Sequence, residues 1–474
     1  MKLIGRIAEQ EELRHYYESN ESEFMVIYGR RRVGKTFLVE EYFGTGITFK
    51  LTGLAKVDRR TQLRNFDDAL ARQSKKAQRA ARDWFEAFNL LRDHLEGIPR
   101  TKGKKRMVFI DEMPWLDTPK SDFITALEHF WNSWAVSQKD ILLIVCGSAT
   151  SWVTKKLLKN RRGLHNRVTG RISLKPFTLR ECEEFYRSVG IRYERKQILE
   201  SYMIYGGIPY YLRLMRKGQS LAQNVDRLCF TDGGALRGEF EELYHSLFYN
   251  PGRHISIVEA LCKKMSGMTR NEISEAIGMS PGGMLSEALG ELEQCGFIRR
   301  FHDFTKKTKG HVYQIIDPFT IFSIKQMRRH TASEGVAHWA ARTDHPSRRA
   351  WSGYAFELAC LNHMAQIVKK LGISGVAMEF SAWRSQRSEL GAQIDLVIDR
   401  RDMTVNLCEM KYAVREFTID KSYADELVNK REIFREETQT RKDVHMTMIT
   451  TFGIKQNVHS HLIQSEITID DLFA

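Results

Sequence analysis

The sequence predicts a multidomain α/β protein whose first part is a parallel sheet carrying a phosphate-binding loop. Three observations predict it. Nearly continuous apolar segments, Phe24-Met25-Val26-Ile27-Tyr28, Met107-Val108-Phe109-Ile110 and Ile141-Leu142-Leu143-Ile144-Val145, alternate with helical stretches up to about Met215. Strands of that composition are covered by helices on both faces. The octapeptide Gly29-Arg30-Arg31-Arg32-Val33-Gly34-Lys35-Thr36 fits GxxxxGK[ST] between the first strand and a helix that opens at Thr36. A mixed α/β pattern returns from about Ser352, with strands expected near 376–380, 394–398, 405–410 and 446–450.

Each part of the loop has a chemical reason. The glycines let backbone N–H groups turn inward around phosphates, and the helix N-terminus adds a favourable dipole. Lys35 is placed to neutralise β- and γ-phosphates, and Thr36 to put its hydroxyl on Mg²⁺. The second strand ends in Asp111-Glu112, at the carboxyl edge where open α/β sheets bind ligands. Asp111 suits the Mg²⁺ hydration shell and Glu112 suits activation of the attacking water. The third strand runs into Cys146-Gly147-Ser148, with the Ser148 hydroxyl expected beside the γ-phosphate. Downstream, Arg167 is the arginine chosen to stabilise transition-state charge, in cis or in a neighbouring copy; Arg161, Arg162 and Arg171 are its rivals.

The whole chain sets outer bounds. Its 474 residues suggest about two to four domains. Nine prolines and 32 glycines leave little room for long disordered linkers. A formal charge of +14 favours a polyanionic partner, with nucleic acid as the first candidate. The basic runs 72–79 and 102–106 read as solvated surface. Seven scattered cysteines without a CxxC pair fit neither a zinc site nor a disulfide framework. They, and the lack of an apolar leader or membrane-length run, lead to the expectation of a cytoplasmic protein with no membrane partner.

Residues 254–316 read as three helices and a hairpin. Thr269 caps a helix that Gly278 ends, a second helix runs through Leu292, and Gly296-Phe297-Ile298 leads into the hairpin. That order is a winged helix-turn-helix. Its second helix, 284–293, is acidic, which argues against deep insertion in a major groove. The wing, 299–309, is basic and suited to phosphates.

Tyr28-Gly29-Arg30-Arg31-Arg32-Val33-Gly34-Lys35-Thr36, Asp111-Glu112, Gly147-Ser148 and Tyr205-Gly206-Gly207-Ile208-Pro209-Tyr210-Tyr211-Leu212 together resemble the archaeal-type ATPases, AAA+ proteins close to the STAND signalling class. The resemblance implies a P-loop ATPase core (1–175), a helical lid (176–250), a winged helix-turn-helix (251–330) and a C-terminal restriction-endonuclease-like domain (345–474). It implies ATP and Mg²⁺ as cofactors, a sensor role for Ser148, and a base contact for Pro209. A homo-oligomer is compatible with it.

In the last domain, Asp395 ends one expected strand and Glu409-Met410-Lys411 ends its hairpin partner, which resembles the PD-(D/E)XK nuclease core. Asp395 and Glu409 could share Mg²⁺, and Lys411 projects to the same side as Glu409 because strand side chains alternate. Glu357 resembles the acid that this fold supplies from its first helix. Gln393 stands where many relatives have another acid. The leading reading is an ATPase controlling DNA binding and metal-dependent DNA cleavage. Its alternatives are a STAND-like switch with a non-catalytic C-terminal module and a chaperone-like ATPase acting on protein.

Overall fold

The computed structural model describes residues 3–75, 79–148, 150–158, 167–302, 304, 311–328, 338–342, 345–385 and 392–474, the side chains of 150, 151 and 338 aside. The chain divides into two compact units, 1–175 and 176–474.

The first unit holds five strands: β1 (Glu23–Tyr28), β2 (Ile47–Thr52), β3 (Arg106–Asp111), β4 (Ile141–Gly147) and β5 (Gly170–Ser173). All pair in parallel, in the order β2-β3-β4-β1-β5. Every residue of β3 and β4 is buried, as helical cover on both faces of a parallel sheet requires. The helices Arg59–Ser74, Trp84–Glu96 and Phe123–Ser133 contribute Phe66, Trp84, Phe88, Phe123 and Trp131 to the core. Two of these helices begin on aspartate caps: Asp58 accepts from the Thr61 N–H and Asp83 from the Glu86 N–H, both at 2.9 Å. The chain leaves β1 for the far edge and returns through β3 and β4. The carboxyl ends of β3, β4 and β1 therefore lie side by side, at the position where the fold turns back on itself.

The second unit opens with helices Leu179–Ser188 and Arg195–Tyr205 and the short helix Pro209–Arg213. Gly206 and Gly207 separate the last two. Gly207 has φ +67°, and a Cβ there would lie 2.2 Å from the Phe177 carbonyl oxygen, so only glycine fits. Helices Pro251–Lys263, Arg270–Ile277 and Gly283–Gln294 follow. Thr269 caps the middle one in a reciprocal box with Glu272, and Gly278 ends it in the left-handed conformation. With them goes a small sheet of β6 (Met268–Thr269), between the first two of these helices, and β7 (Ile298–His302) and β8 (His311–Ile315), after the third, in the order β6-β8-β7. The distal part of the expected basic wing, residues 303 and 305–309, lies outside the described residues.

The C-terminal sheet contains β9 (Met378–Arg384), β10 (Gln393–Arg400), β11 (Thr404–Lys411), β12 (Asp443–Thr450) and β13 (Ser465–Ile467), in the order β13-β12-β11-β10-β9. The pairings β9–β10 and β10–β11 are antiparallel, while β11–β12 and β12–β13 are parallel. The helix Lys421–Thr438 makes the crossover from β11 to β12, burying Ala424, Leu427 and Phe434 against Trp383, Leu407 and Met446.

Two polar contacts tie the first helices of this unit to its C-terminal part. The Tyr412 hydroxyl, one residue past β11, donates to Glu200 at 2.7 Å. The Leu179 N–H donates to His363 Nε2 at 2.9 Å, and His363 Nδ1 lies 2.7 Å from the Ala359 carbonyl. An N–H can only donate, so Nε2 must be bare and Nδ1 must carry the proton. Burial accordingly pushes the imidazole pKa down from 6.5 to about 4. Between those values the unfolded chain binds the extra proton and the fold does not. Stability is therefore complete above pH 6.5 and falls, by about 3 kcal/mol in all, as pH drops towards 4. Urea unfolding of the second unit at a series of pH values should show this decline. His363→Gln, which can still accept from Leu179, should flatten it.

Candidate functional site

The phosphate loop follows β1 directly. Gly29 has φ +147°, and a Cβ there would stand 2.2 Å from the Leu174 carbonyl oxygen, so the turn out of β1 demands glycine. Gly34 precedes the helix Lys35–Phe43 in the left-handed conformation, and Arg32 has φ +71°. The loop backbone thus curls around the Lys35 ammonium, which is 5% exposed and donates to the Gly29 and Arg30 carbonyls at 3.0 Å each. Arg30 and Val33 are buried, whereas Arg31, Arg32 and Thr36 are half-buried. An ammonium held inside a ring of backbone at a helix N-terminus is the charge arrangement that a phosphate group fits.

Thr36 Oγ1 donates to Asp111 Oδ2 at 2.7 Å. Burial raises the Asp111 pKa, opposed by the Thr36 hydrogen bond. A hydroxyl and a buried carboxylate side by side suit a hydrated Mg²⁺. Glu112 leaves β3 with φ +45°, and its carboxylate accepts from the Ser148 hydroxyl. The ends of β1, β3 and β4 thus bring together Lys35, Thr36, Asp111, Glu112 and Ser148.

Arg167 is not brought there. It is exposed in the turn before β5, two residues from Thr169, whose N–H bonds to the Phe24 carbonyl at 2.9 Å. Phe24 lies at the amino end of β1, so Arg167 sits at the sheet edge opposite the phosphate loop. The expectation of a role in cis is corrected on that ground: parallel strands put the turn before one strand and the loop after its neighbour at opposite ends. Arg161 and Arg162 lie outside the described residues, and Arg171 is exposed on β5. Pro209 belongs to the second unit, where it opens the helix Pro209–Arg213.

The C-terminal acids occupy a second place. The register Leu396↔Cys408 carries Asp395 to the end of β11, where its Oδ2 accepts from the Met410 N–H at 2.9 Å. Glu409 is 1% exposed; its Oε2 accepts from Lys430 Nζ at 2.8 Å and from the Tyr423 hydroxyl at 3.4 Å. Lys411 Nζ stands 3.9 Å from the same oxygen. Glu409 Oε1 has no hydrogen-bond partner among the described residues. Burial, then the charge of Asp395, pushes the Glu409 carboxyl up to about 7 and that of Glu357 up to about 8. Burial raises Asp395 as well. Among the described residues, however, no three His, Cys, Asp or Glu side chains are gathered closely enough to hold a metal. Glu357, Asp395 and Glu409 are thus not gathered as a three-ligand cluster: Lys430 takes one oxygen of Glu409, and the backbone of β11 takes one of Asp395.

Comparison with known proteins bears on the first part of the chain. Residues 3–215 match the family described as an ATPase domain predominantly from Archaea. This part of the chain is a P-loop ATPase domain of the archaeal AAA+ type. A relative described as uncharacterized protein MJECL04, from Methanocaldococcus jannaschii, is 24% identical over 439 residues, 89% of this chain and 90% of its own length. The Walker-type ATPase PABY2304 of Pyrococcus abyssi has a similar fold, with a TM-score of 0.50 and 18% identity, over 68% of this chain and 96% of that one.

Membership implies that the ATPase domain binds nucleotide, with Mg²⁺ its usual companion. When bound, Mg²⁺ would neutralise charge on the β- and γ-phosphates, with Thr36 and Asp111 holding it. Glu112 stands beside this pair at the end of β3, and the Ser148 hydroxyl fixes the direction of its carboxylate. Two participants escaped the sequence reading. Arg6, 5% exposed, donates to the Val33 carbonyl at 3.3 Å and so braces the loop from 27 residues away. Lys430, 21 residues from Glu409, is its nearest cation. Neither lies in a local pattern that would mark it. Among the described residues, no helix is long and apolar enough to cross a membrane.

Proposed function

We propose that the ATPase domain hydrolyses ATP to control a DNA-directed, Mg²⁺-dependent endonuclease domain formed by residues 345–474. One observation carries the nuclease part. Glu409 is buried with an oxygen left unpartnered, near the end of β11, where its antiparallel neighbour β10 begins and places Asp395, and Lys411 stands two residues on. A buried carboxylate oxygen without a partner is costly unless a ligand completes it. Mg²⁺ held by Asp395 and Glu409 would act as a Lewis acid on the phosphodiester and acidify a bound water. Lys411, a third exposed, is then positioned to orient that water or meet the developing negative charge.

The strands β7 and β8 and the three preceding helices supply the winged helix-turn-helix of this proposal. Its second helix is not an obvious groove reader: Glu291 is engaged by His254 at 3.0 Å and Glu293 by Arg300 at 3.6 Å. The basic strand β7 is the better phosphate surface. The exposed Arg167 is assigned to a neighbouring copy in a homo-oligomer, the role its place on the sheet allows.

Lys430 favours a second reading. It joins Glu409 at 2.8 Å to Glu426 at 2.9 Å, an ion pair that completes itself without a metal, as in a C-terminal module that only binds. Incubation of the full chain with supercoiled plasmid and branched DNA separates the two. Nicking in Mg²⁺ that stops with EDTA supports the nuclease. Intact DNA beside normal ATP hydrolysis leaves the binding module.

A further inference from the structure

A cleft of about 470 Å³ opens beside the C-terminal acids, between the hairpin β7–β8 with the turn before β6 on one side, and β9, β10 and the helix Pro346–Asn362 on the other. Asp395 and Glu357 line it from one wall. Arg299 and Lys263 line it from the other, and Arg384 from the end of β9. Tyr354 completes the lining, one helical turn before Glu357 and 48% exposed. The hairpin is fastened to the sheet by the Phe304 N–H, which donates to the Ala382 carbonyl at 3.4 Å, and by the Phe304 ring 5.0 Å from Phe434.

Arg299 is the unusual member. Its guanidinium donates to Gln314 at 2.8 Å and lies 5.0 Å over the Phe301 ring, yet it has no acid partner among the described residues. Nor do Lys263 and Arg384 form an ion pair with any described residue. Burial pushes the Arg299 pKa down to about 10, still well above neutrality, so the group stays charged in a desolvated wall. An unpaired, partly buried cation costs free energy that an anion entering the cleft would offset.

We infer that this cleft receives one unpaired DNA strand, with its phosphates on Arg299, Lys263 and Arg384 and a base stacked on Tyr354. The inference rests on the nuclease reading and deepens it by naming the substrate form. Two features select a single strand. About 470 Å³ is the size of a site for a drug-sized molecule and accommodates a nucleotide or two. A duplex offers both strands and a major groove about 12 Å wide, and its bases have no free face to stack. Cations that follow a backbone beside an exposed aromatic ring are the combination that binds unpaired strands. The strand enters from the cationic wall, because Asp395 and Glu357 repel phosphate unless a cation lies between.

Fluorescence anisotropy with the full chain in EDTA, where no cleavage occurs, tests this on a labelled 20-nucleotide DNA strand, its blunt duplex and the RNA strand of the same sequence. The single DNA strand is expected to bind at least tenfold more tightly than the duplex. Tyr354→Ala should weaken that binding by about tenfold with an unchanged salt slope. Arg299→Gln should weaken it and lower the salt slope by about 0.7, one phosphate contact. Tyr354 is exposed, so its variant tests the cleft even where the Arg299 change perturbs the hairpin. Duplex binding equal to or tighter than the single strand, or an unaltered Tyr354→Ala, overturns the inference and leaves the nuclease reading standing. Tighter binding of the RNA strand overturns the choice of DNA. Failure to bind any of the three overturns the inference together with the DNA-directed reading.

Discussion

Glu112→Gln is expected to bind ATP within about threefold of the native chain and to turn it over about 10²–10⁴-fold more slowly. The amide has the shape of the carboxylate and keeps an oxygen that can accept from the Ser148 hydroxyl. The nucleotide loop around Lys35 is untouched, so binding persists. What disappears is the carboxylate that we propose takes the proton of the attacking water. Phosphate release under single-turnover conditions, set beside titration with a fluorescent ATP analogue, separates the two effects. Turnover at the native rate would mean that another base serves the site. Lys35→Ala supplies the contrast: without the buried ammonium, binding itself should fall, because the loop carbonyls of Gly29 and Arg30 lose their partner and the phosphates lose theirs.

The second large effect belongs to the C-terminal acids. Asp395→Asn keeps an oxygen to accept from the Met410 N–H, so β10 and β11 stay in register, but it removes the negative charge. Plasmid nicking should drop by at least about 10²-fold while ATP turnover stays within about twofold. Lys411→Ala should produce a loss of about 10²–10³, the usual effect of deleting one donor to developing charge. The side chain is a third exposed, so its removal leaves no cavity in the core. Nicking that survives both substitutions would assign any cleavage to another part of the chain, or to a contaminant.

How much of this was legible depended on whether the signal was local. The phosphate loop was, because its chemistry is confined to eight consecutive residues between a strand and a helix. The reason Gly29 must be glycine was not: the atom it would strike belongs to Leu174, 145 positions further on. Strands β1, β3 and β4 each carry an unbroken apolar run of at least four residues and stand out, whereas β2, Ile47-Thr48-Phe49-Lys50-Leu51-Thr52, alternates at a sheet edge, and β5 has only four residues. Both were passed over. Asp395, Glu409 and Lys411 were visible as a spaced pattern, but Lys430 approaches Glu409 from a helix whose own periodicity is that of an ordinary amphipathic crossover. Arg167 shows the reverse failure. It follows Ser148 closely in sequence, but the turn before β5 faces the edge of the sheet opposite the phosphate loop.

The bond between Tyr412 and Glu200 has a mechanical consequence. The helix Arg195–Tyr205 ends at Gly206 and Gly207, and Glu200 sits about 9 Å along it from Gly206, at about 1.5 Å per residue. A tilt of about ten degrees at the glycines would therefore move Glu200 by more than about 1 Å, roughly what a hydrogen bond tolerates before it breaks. Tyr412 is joined to Lys411 by a single peptide bond. A tilt of that size would thus either drag the end of β11 with it or let go, which makes this contact a clutch between the helix and the strand end that carries Lys411.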